Sequence, residues 1–299
     1  MKAKHVIIYL LLVIVTSSCI RDEAPNAEAD ILSCRLPGIT MTTSPIINNN
    51  SVTLFVTPGT NISALAPEFT LTSGATITPA SGTERNFNSP QEYQVTAADG
   101  IWKKTYAISV IDTELATIYN FEDTISGKKY YIFVERENDK VIMEWASGNA
   151  GYAMTGVAKT ADDYPTFQIA NGKNGKCLSL VTRSTGFFGG LVGMPIAAGN
   201  LFIGSFDVNN AMSNPLQATK FGLPFRHVPT YLAGYYKYKA GDQFTEGGKP
   251  VEGKRDICDI YAIMYETSES VPTLDGTNAF ISPNLISTAR INNAKETNE

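Results

Sequence analysis

The segment Tyr93–Val110 does most to limit the fold. It runs Tyr93-Gln94-Val95-Thr96-Ala97, then Asp99-Gly100, then Trp102 through Val110. Successive side chains of a strand point to opposite faces, so hydrophobicity with a period of two reads as a half-buried strand. Asp-Gly between two such runs predicts a hairpin, because both turn residues tolerate positive φ. On the second strand Trp102, Lys104, Tyr106, Ile108 and Val110 share one face, which makes Trp102 a core residue. Val52–Val56, bounded by Pro58-Gly59, and Phe69–Leu71 alternate in the same way. Glycine (24), tyrosine (14) and phenylalanine (14) are plentiful, and long Ala/Leu/Glu/Lys windows are missing. That mixture favours strands and turns, and the expected class is all-β.

A second, larger β-region is expected over residues 118–286. Tyr130–Arg136 and Val141–Trp145 flank Glu137-Asn138-Asp139-Lys140. A turn centred between Asn138 and Asp139 sets Glu137 opposite Lys140 and Glu135 opposite Ile142. One face then carries Ile132, Val134, Val141, Met143 and Trp145, and reads as core. The other carries Phe133, Glu135, Glu137, Lys140, Ile142 and Glu144. Further strands are expected at Cys177–Val181, Asn200–Phe206, Tyr231–Tyr238 and Ile257–Tyr265. The last is apolar at nearly every position, as a strand covered on both faces should be. Gly186-Phe187-Phe188-Gly189-Gly190 reads as a glycine-rich loop, and residues 287–299 as a polar tail.

The chain begins as an exported one. Lys2 and Lys4 precede an apolar run of ten residues, Val6–Val15. Ten residues span about half a bilayer, so this is a signal-peptide core rather than a membrane anchor. Val15-Thr16-Ser17-Ser18-Cys19 resembles a lipobox, in which the Cys19 thiol accepts diacylglycerol after removal of residues 1–18. The acidic pair Asp22-Glu23 is similar to the surface-export signal of lipoproteins from gut-type Gram-negative bacteria, and residues 19–30 read as a lipidated tether. An outer-membrane, lipid-anchored protein facing the cell surface is expected. The net charge of −5 offers no electrostatic footprint for nucleic acid.

Chemistry is sparse. Beyond the signal segment one histidine remains, His227, set between prolines in Pro224–Pro229 with no Gly-x-Ser-x-Gly elbow, and it reads as structural. Cys34, Cys177 and Cys258 stand too far apart for a zinc site, and no Gly-rich run matches a nucleotide fingerprint. These cysteines permit one disulfide, with Cys177–Cys258 the within-domain choice. No cofactor is expected, although Asp207, Asn209 and Asn210 have the donor types for a structural Ca²⁺. A glycosidase needs two carboxylates across the scissile bond, and Glu135 and Glu144 are diagonal neighbours on the hairpin face above. Asp256 and Asp259, three apart on a strand, point to opposite faces. A binding module asks only for exposed rings and flanking polar groups. Tyr235, on a strand face with Lys237 and Lys239, and Phe187 and Phe188 in their loop, are the candidates; Trp145 qualifies only at a sandwich rim. Arg226, Asp207 and Asn209 are candidates for polar contacts.

Two resemblances sharpen this. Residues 31–112, with Phe87–Gly100 as the clearest stretch, resemble the immunoglobulin-like modules that space lipid anchor from functional domain in bacterial surface lipoproteins. Asn120–Asp123, Trp145–Asn149, Ala198–Gly204, Gly222–Pro229 with Gly234–Tyr238, and Asp256–Ala262 occur in the order found in the putative carbohydrate metabolism domain family. That resemblance implies a jelly-roll β-sandwich with a role in glycan capture or breakdown. The chain departs from the family by stopping at Glu299 without an acidic final strand, which implies a shortened product or a sandwich closed differently. The expectation is therefore an immunoglobulin-like sandwich followed by a larger jelly-roll sandwich. The expected partners are polysaccharide or oligosaccharide, bound without catalysis, and an outer-membrane glycan-uptake complex. A glycoside hydrolase and a structural or adhesive surface protein are the alternatives.

Overall fold

The computed structural model describes residues 25–268, 270–291, 296 and 297. The expected signal segment and Cys19 lie outside the described residues. Seven strands build the first domain: β1 (Ile31–Arg35), β2 (Ile46–Ile47), β3 (Ser51–Phe55), β4 (Glu68–Leu71), β5 (Thr76–Thr78), β6 (Gln91–Thr96) and β7 (Lys103–Ile111). Five form one sheet in the order β2-β3-β7-β6-β5, and β1 pairs with β4 in another. β3 runs parallel to β7, and the other pairs are antiparallel. The inward residues are those picked out by alternation: Val52 and Leu54, Tyr93 and Val95, Tyr106, Ile108 and Val110, closed over by Ile31 and Cys34. Each such side chain contributes on the order of 1.5–3 kcal/mol by leaving water.

The expected hairpin is present, with Tyr93 opposite Tyr106 and Thr96 opposite Lys103. Its turn differs. The Ala97 N–H donates to the Trp102 carbonyl at 2.9 Å, and the Asp99 carboxylate accepts from the N–H groups of Ile101 and Trp102 at 2.8 and 3.2 Å. Only Gly100 takes a positive φ, 70°. The connection is thus a four-residue loop closed by an Asp side chain rather than a two-residue turn. Trp102 is left at its mouth, 63% exposed, and not in the core. Lys104 can share the apolar face because Asp30 meets it: the Lys104 Nζ donates to Asp30 Oδ1 at 2.6 Å, and the Tyr106 hydroxyl donates to the same oxygen at 2.9 Å.

The second domain is also built from strands, in shorter ladders. β8 (Val134–Glu137) pairs with β9 (Lys140–Glu144), β10 (Thr166–Ile169) with β11 (Cys177–Leu180), and β12 (Arg183–Ser184) with β13 (Ile196–Ala197). β14 (Gly204–Phe206), β15 (Thr219–Phe221) and β19 (Leu274–Asp275) form a three-stranded sheet. β16 (Thr245–Glu246) pairs with β17 (Lys249–Pro250), and β18 (Tyr261–Tyr265) with β20 (Leu285–Arg290). Aromatic rings tie the ladders together. Phe202, Phe221, Tyr261 and Phe280 form a chain with successive centroids 5.5, 6.2 and 4.7 Å apart. A buried polar knot does the same. The Asn149 side chain donates to the Thr166 carbonyl at 2.7 Å and accepts from the Thr166 N–H at 3.1 Å. The Thr166 hydroxyl donates to the Asn200 carbonyl, and Asn200 Oδ1 accepts from the Gly148 N–H at 2.7 Å. These hydrogen bonds offset the desolvation of the buried Asn149 and Thr166 groups, and the knot sets three segments in register.

Several expected elements change. Of Asn200–Phe206 only Gly204–Phe206 is a strand, and of Ile257–Tyr265 only Tyr261–Tyr265, leaving Ile257 exposed. Tyr231–Tyr238 finds no ladder partner among the described residues and is not a strand. Leu232 and Tyr236 are exposed. The expected glycine loop is a short helix, Gly186–Leu191. The expected tail starts late, since Ser287–Arg290 belong to β20 and pair with β18. Cys34, Cys177 and Cys258 are all free, so the Cys177–Cys258 bond is not formed, and burial pushes the Cys34 thiol up to about 12.

Candidate functional site

The hairpin β8–β9 turns at Asn138 and Asp139, both with positive φ, and Glu137 does oppose Lys140. The register then slips. Arg136 pairs with Val141 but Glu135 pairs with Met143, leaving Ile142 as a bulge. One extra residue moves everything beyond it to the other face. Glu144 pairs with Val134, one place along from the Glu135–Met143 pair, so Glu135 and Glu144 lie on opposite faces. The expected carboxylate pair is therefore not formed. Trp145, whose N–H donates to the Phe133 carbonyl at 2.9 Å, shares the face of Phe133, Glu135 and Met143.

That face carries an aromatic nest. The half-buried Trp145 ring meets Tyr119 edge-on at 5.0 Å and Phe121 at 5.4 Å, and its Nε1 donates to Glu135 Oε1 at 2.9 Å. Phe121 takes φ 57°, an unusual conformation for a bulky residue. Gln168 holds it there by donating from Nε2 to the carbonyls of Phe121 and Glu122 at 2.7 and 3.0 Å. Burial raises the Glu135 carboxyl, the Trp145 hydrogen bond lowers it, and the nearby Asp123 carboxylate raises it again. Asp123 is thus the acid that stands near Glu135. Sequence reasoning quoted it only within a family motif; hairpin parity has no reach to a residue eleven positions before the strand. On the opposite face Glu144 is open to solvent yet closely ringed by protein, and burial pushes its carboxyl up while Lys128 pulls it down.

The binding candidates lie apart from this nest in the chain. Tyr235 is 82% exposed and Tyr231 81%, both on the unpaired segment before Tyr238. The Lys173 ammonium sits 4.6 Å from the Tyr235 ring centroid. Phe187 and Phe188 are exposed on the helix Gly186–Leu191 beside Leu191 and Val192, which are exposed as well. Arg226 is exposed and lines a crevice with Pro224, Thr42, Pro58, Thr113 and Glu114. His227 Nε2 lies 3.0 Å from Glu114 Oε2, a tie between the two domains beside the one from Lys140 to Asp112 at 2.5 Å. Asp207 uses its carboxylate locally: it accepts from the Asn209 N–H at 3.0 Å and from the Asn210 Nδ2 at 2.7 Å. Those bonds give this trio a turn-closing job. Asp259 takes both nitrogens of Arg290, at 2.8 and 2.9 Å.

Comparison with known proteins agrees with this layout. Residues 31–110 match the family model of the N-terminal SGBP domain, and residues 120–299 match the putative carbohydrate metabolism domain. A structure from Bacteroides thetaiotaomicron VPI-5482, described as a putative glycoside hydrolase, is 84% identical with a TM-score of 0.88, over 93% of this chain and 82% of that one. A second, from Bacteroides vulgatus ATCC 8482 and described in the same words, is 47% identical with a TM-score of 0.56, over 60% of this chain and 74% of that one. No curated protein matches. The motifs that carried the resemblance are structural in part, since Gly148, Asn149 and Asn200 tie the buried knot. An immunoglobulin-like module of the SGBP type followed by a β-domain spanning more than half of the chain places this protein in the putative carbohydrate metabolism domain family.

Proposed function

We propose that this protein is a lipid-anchored glycan-binding protein of the outer membrane, held through Cys19, that captures polysaccharide at the cell surface without cleaving it. The observation that carries the reading is the pair of tyrosine rings, Tyr231 and Tyr235, standing in solvent on a segment that no ladder claims. Beyond the Lys173 ammonium at Tyr235, no ring or ion contact engages them among the described residues, and sugar rings stack on such faces. The separation of Glu135 from Glu144 by the bulge supports binding over turnover. Domain order supports capture at the surface, with the compact sandwich as spacer. Binding by a shallow platform should be weak, about micromolar to millimolar, since little of a polar ligand is buried.

A second reading has its own support. Glu135 with a raised carboxyl, Asp123 near it and Trp145 alongside are the parts of a hydrolase site, and both solved relatives are described as putative glycoside hydrolases. One experiment separates the two. Reducing-end release from a panel of polysaccharides is followed over many hours, beside binding to the same panel. The binding reading expects retention of polysaccharide, lost in Tyr235→Ala, with no release. Steady release that disappears in Glu135→Gln and Asp123→Asn would replace it by the hydrolase.

A further inference from the structure

The surface around Tyr235 differs in charge from the chain that carries it. The protein is acidic, with a net charge of −5. Among the described residues, acids match Arg35 (by Glu68), Lys104 (by Asp30), Lys140 (by Asp112), Lys220 (by Asp275), Lys254 (by Glu246), Arg255 (by Glu296) and Arg290 (by Asp259). Lys173, Lys237 and Lys239 are exposed, and none of them forms an ion pair among the described residues. Lys237 and Lys239 follow Tyr235 at two and four positions, and Lys173 comes to its ring from a distant loop.

That loop is built for close approach. The Gly172 N–H donates to the Gly175 carbonyl at 2.9 Å, so Lys173 is presented on a tight turn. A Cβ at Gly172 would come within 2.4 Å of the Lys176 carbonyl oxygen. Gly175 has φ 75°, and a Cβ there would lie 2.2 Å from Glu122 Oε1, which accepts the Lys176 N–H at 2.9 Å. Neither position has room for a side chain in this arrangement. The glycines and Glu122 thus hold in place a turn whose outward group is an ammonium over an exposed ring.

We infer that the ligand of the Tyr231–Tyr235 platform is an anionic glycan, one bearing uronate carboxylates or sulfate esters. The inference rests on the binding reading above and names its ligand class. A neutral sugar needs only the rings. An acidic one is repelled by the negative face of a bare ring, and a lysine against that ring offsets the repulsion. Lys173 at the Tyr235 ring supplies that offset, with the exposed Lys237 and Lys239 close by in the chain, and an ammonium gives charge-assisted hydrogen bonds to carboxylate or sulfate oxygens.

Equilibrium binding of the full-length protein to four polymers tests this. Polygalacturonan against its fully methyl-esterified form isolates uronate charge, and dextran sulfate against dextran isolates sulfate. At least one charged polymer should bind about tenfold more tightly than its neutral counterpart. That preference should fall about tenfold between 50 and 500 mM NaCl, as screened ionic contacts do. Lys173→Ala should weaken the charged polymer about fivefold, Lys173→Arg should restore it, and Tyr235→Ala should remove it. Binding of dextran or the methyl ester with equal strength, lost in Tyr235→Ala but indifferent to salt and to Lys173→Ala, would overturn the anionic assignment while leaving glycan binding in place. Failure of the wild type to bind any of the four would overturn both readings.

Discussion

The two domains solve the same problem differently. The first, though much the shorter, holds most of the large apolar side chains that are fully buried, in one contiguous core between two sheets. The second spreads its buried residues thinly, over ladders of two or three strands joined by aromatic chains and the Asn149–Thr166–Asn200 knot. A contiguous core makes a stiff unit with few free rings. A stitched one leaves backbone and aromatic surface uncommitted, which is where binding residues tend to sit. The difference teaches that the two domains of this protein can be told apart by how they are held together.

Core deletion should show the contrast most strongly. Ile108 is fully enclosed in the first sandwich, and Ile108→Ala should cost that domain about 2–5 kcal/mol. Trp145→Ala removes a half-buried ring and leaves Glu135 without its donor, and should cost the second domain about 2 kcal/mol. Trp102 fluorescence follows the first domain in a denaturant titration, and calorimetry follows the second in the variant that lacks Trp145. Equal losses in both domains would show that the second has a core as continuous as the first.

Charge gives a smaller effect and a sign to check. The hydrogen bond from Lys104 holds the Asp30 carboxyl below its ordinary value, against a lesser opposing effect of burial and with further help from Tyr106. A lowered native pKa means that the unfolded chain binds protons first as pH falls. The contribution is therefore present at neutral pH and lost on acidification through the lowered value. Asp30→Asn should cost the first domain about 1 kcal/mol at pH 7, the pair being partly solvent-screened, and should cost little once the wild-type carboxyl is protonated. A deficit independent of pH would assign the role of Asp30 to shape.

Glu144 should give the smallest effect, with the opposite sign. Burial raises its carboxyl, so the folded state holds the proton more tightly than the unfolded chain, and stability falls as pH rises through that window. Glu144→Gln should raise the melting temperature of the second domain slightly at pH 7 and leave it unchanged in acid. A lower melting temperature at pH 7 would show that the Lys128 attraction outweighs the burial.

The hairpins at Asp99-Gly100 and Asn138-Asp139 were legible because turn chemistry and period-two alternation are local properties. So were the all-β class, the two-part division and the core of the first sandwich, where alternation continues through β3, β6 and β7 without interruption. Exposure of Tyr235 was legible for a weaker reason, its place on an alternating face that continues into Lys237 and Lys239. The face of Trp145 was not, because a single bulge at Ile142 reverses every side chain after it and leaves no mark in hydrophobicity. Nor was the pairing of Glu135 with Asp123, which depends on how residues 119–123 fold back along the strand.

Local sequence therefore determined where strands can form and where the chain turns. Tertiary structure decided which of those strands found a partner, and hence which rings were buried. Tyr231–Tyr238 alternates as well as β7 does, yet β7 is paired on both edges, whereas this segment joins no ladder among the described residues. A strand's backbone groups must be met by a neighbour, and that neighbour lies far away in the chain. Alternation states the capacity to pair, and only the packed molecule supplies the edge.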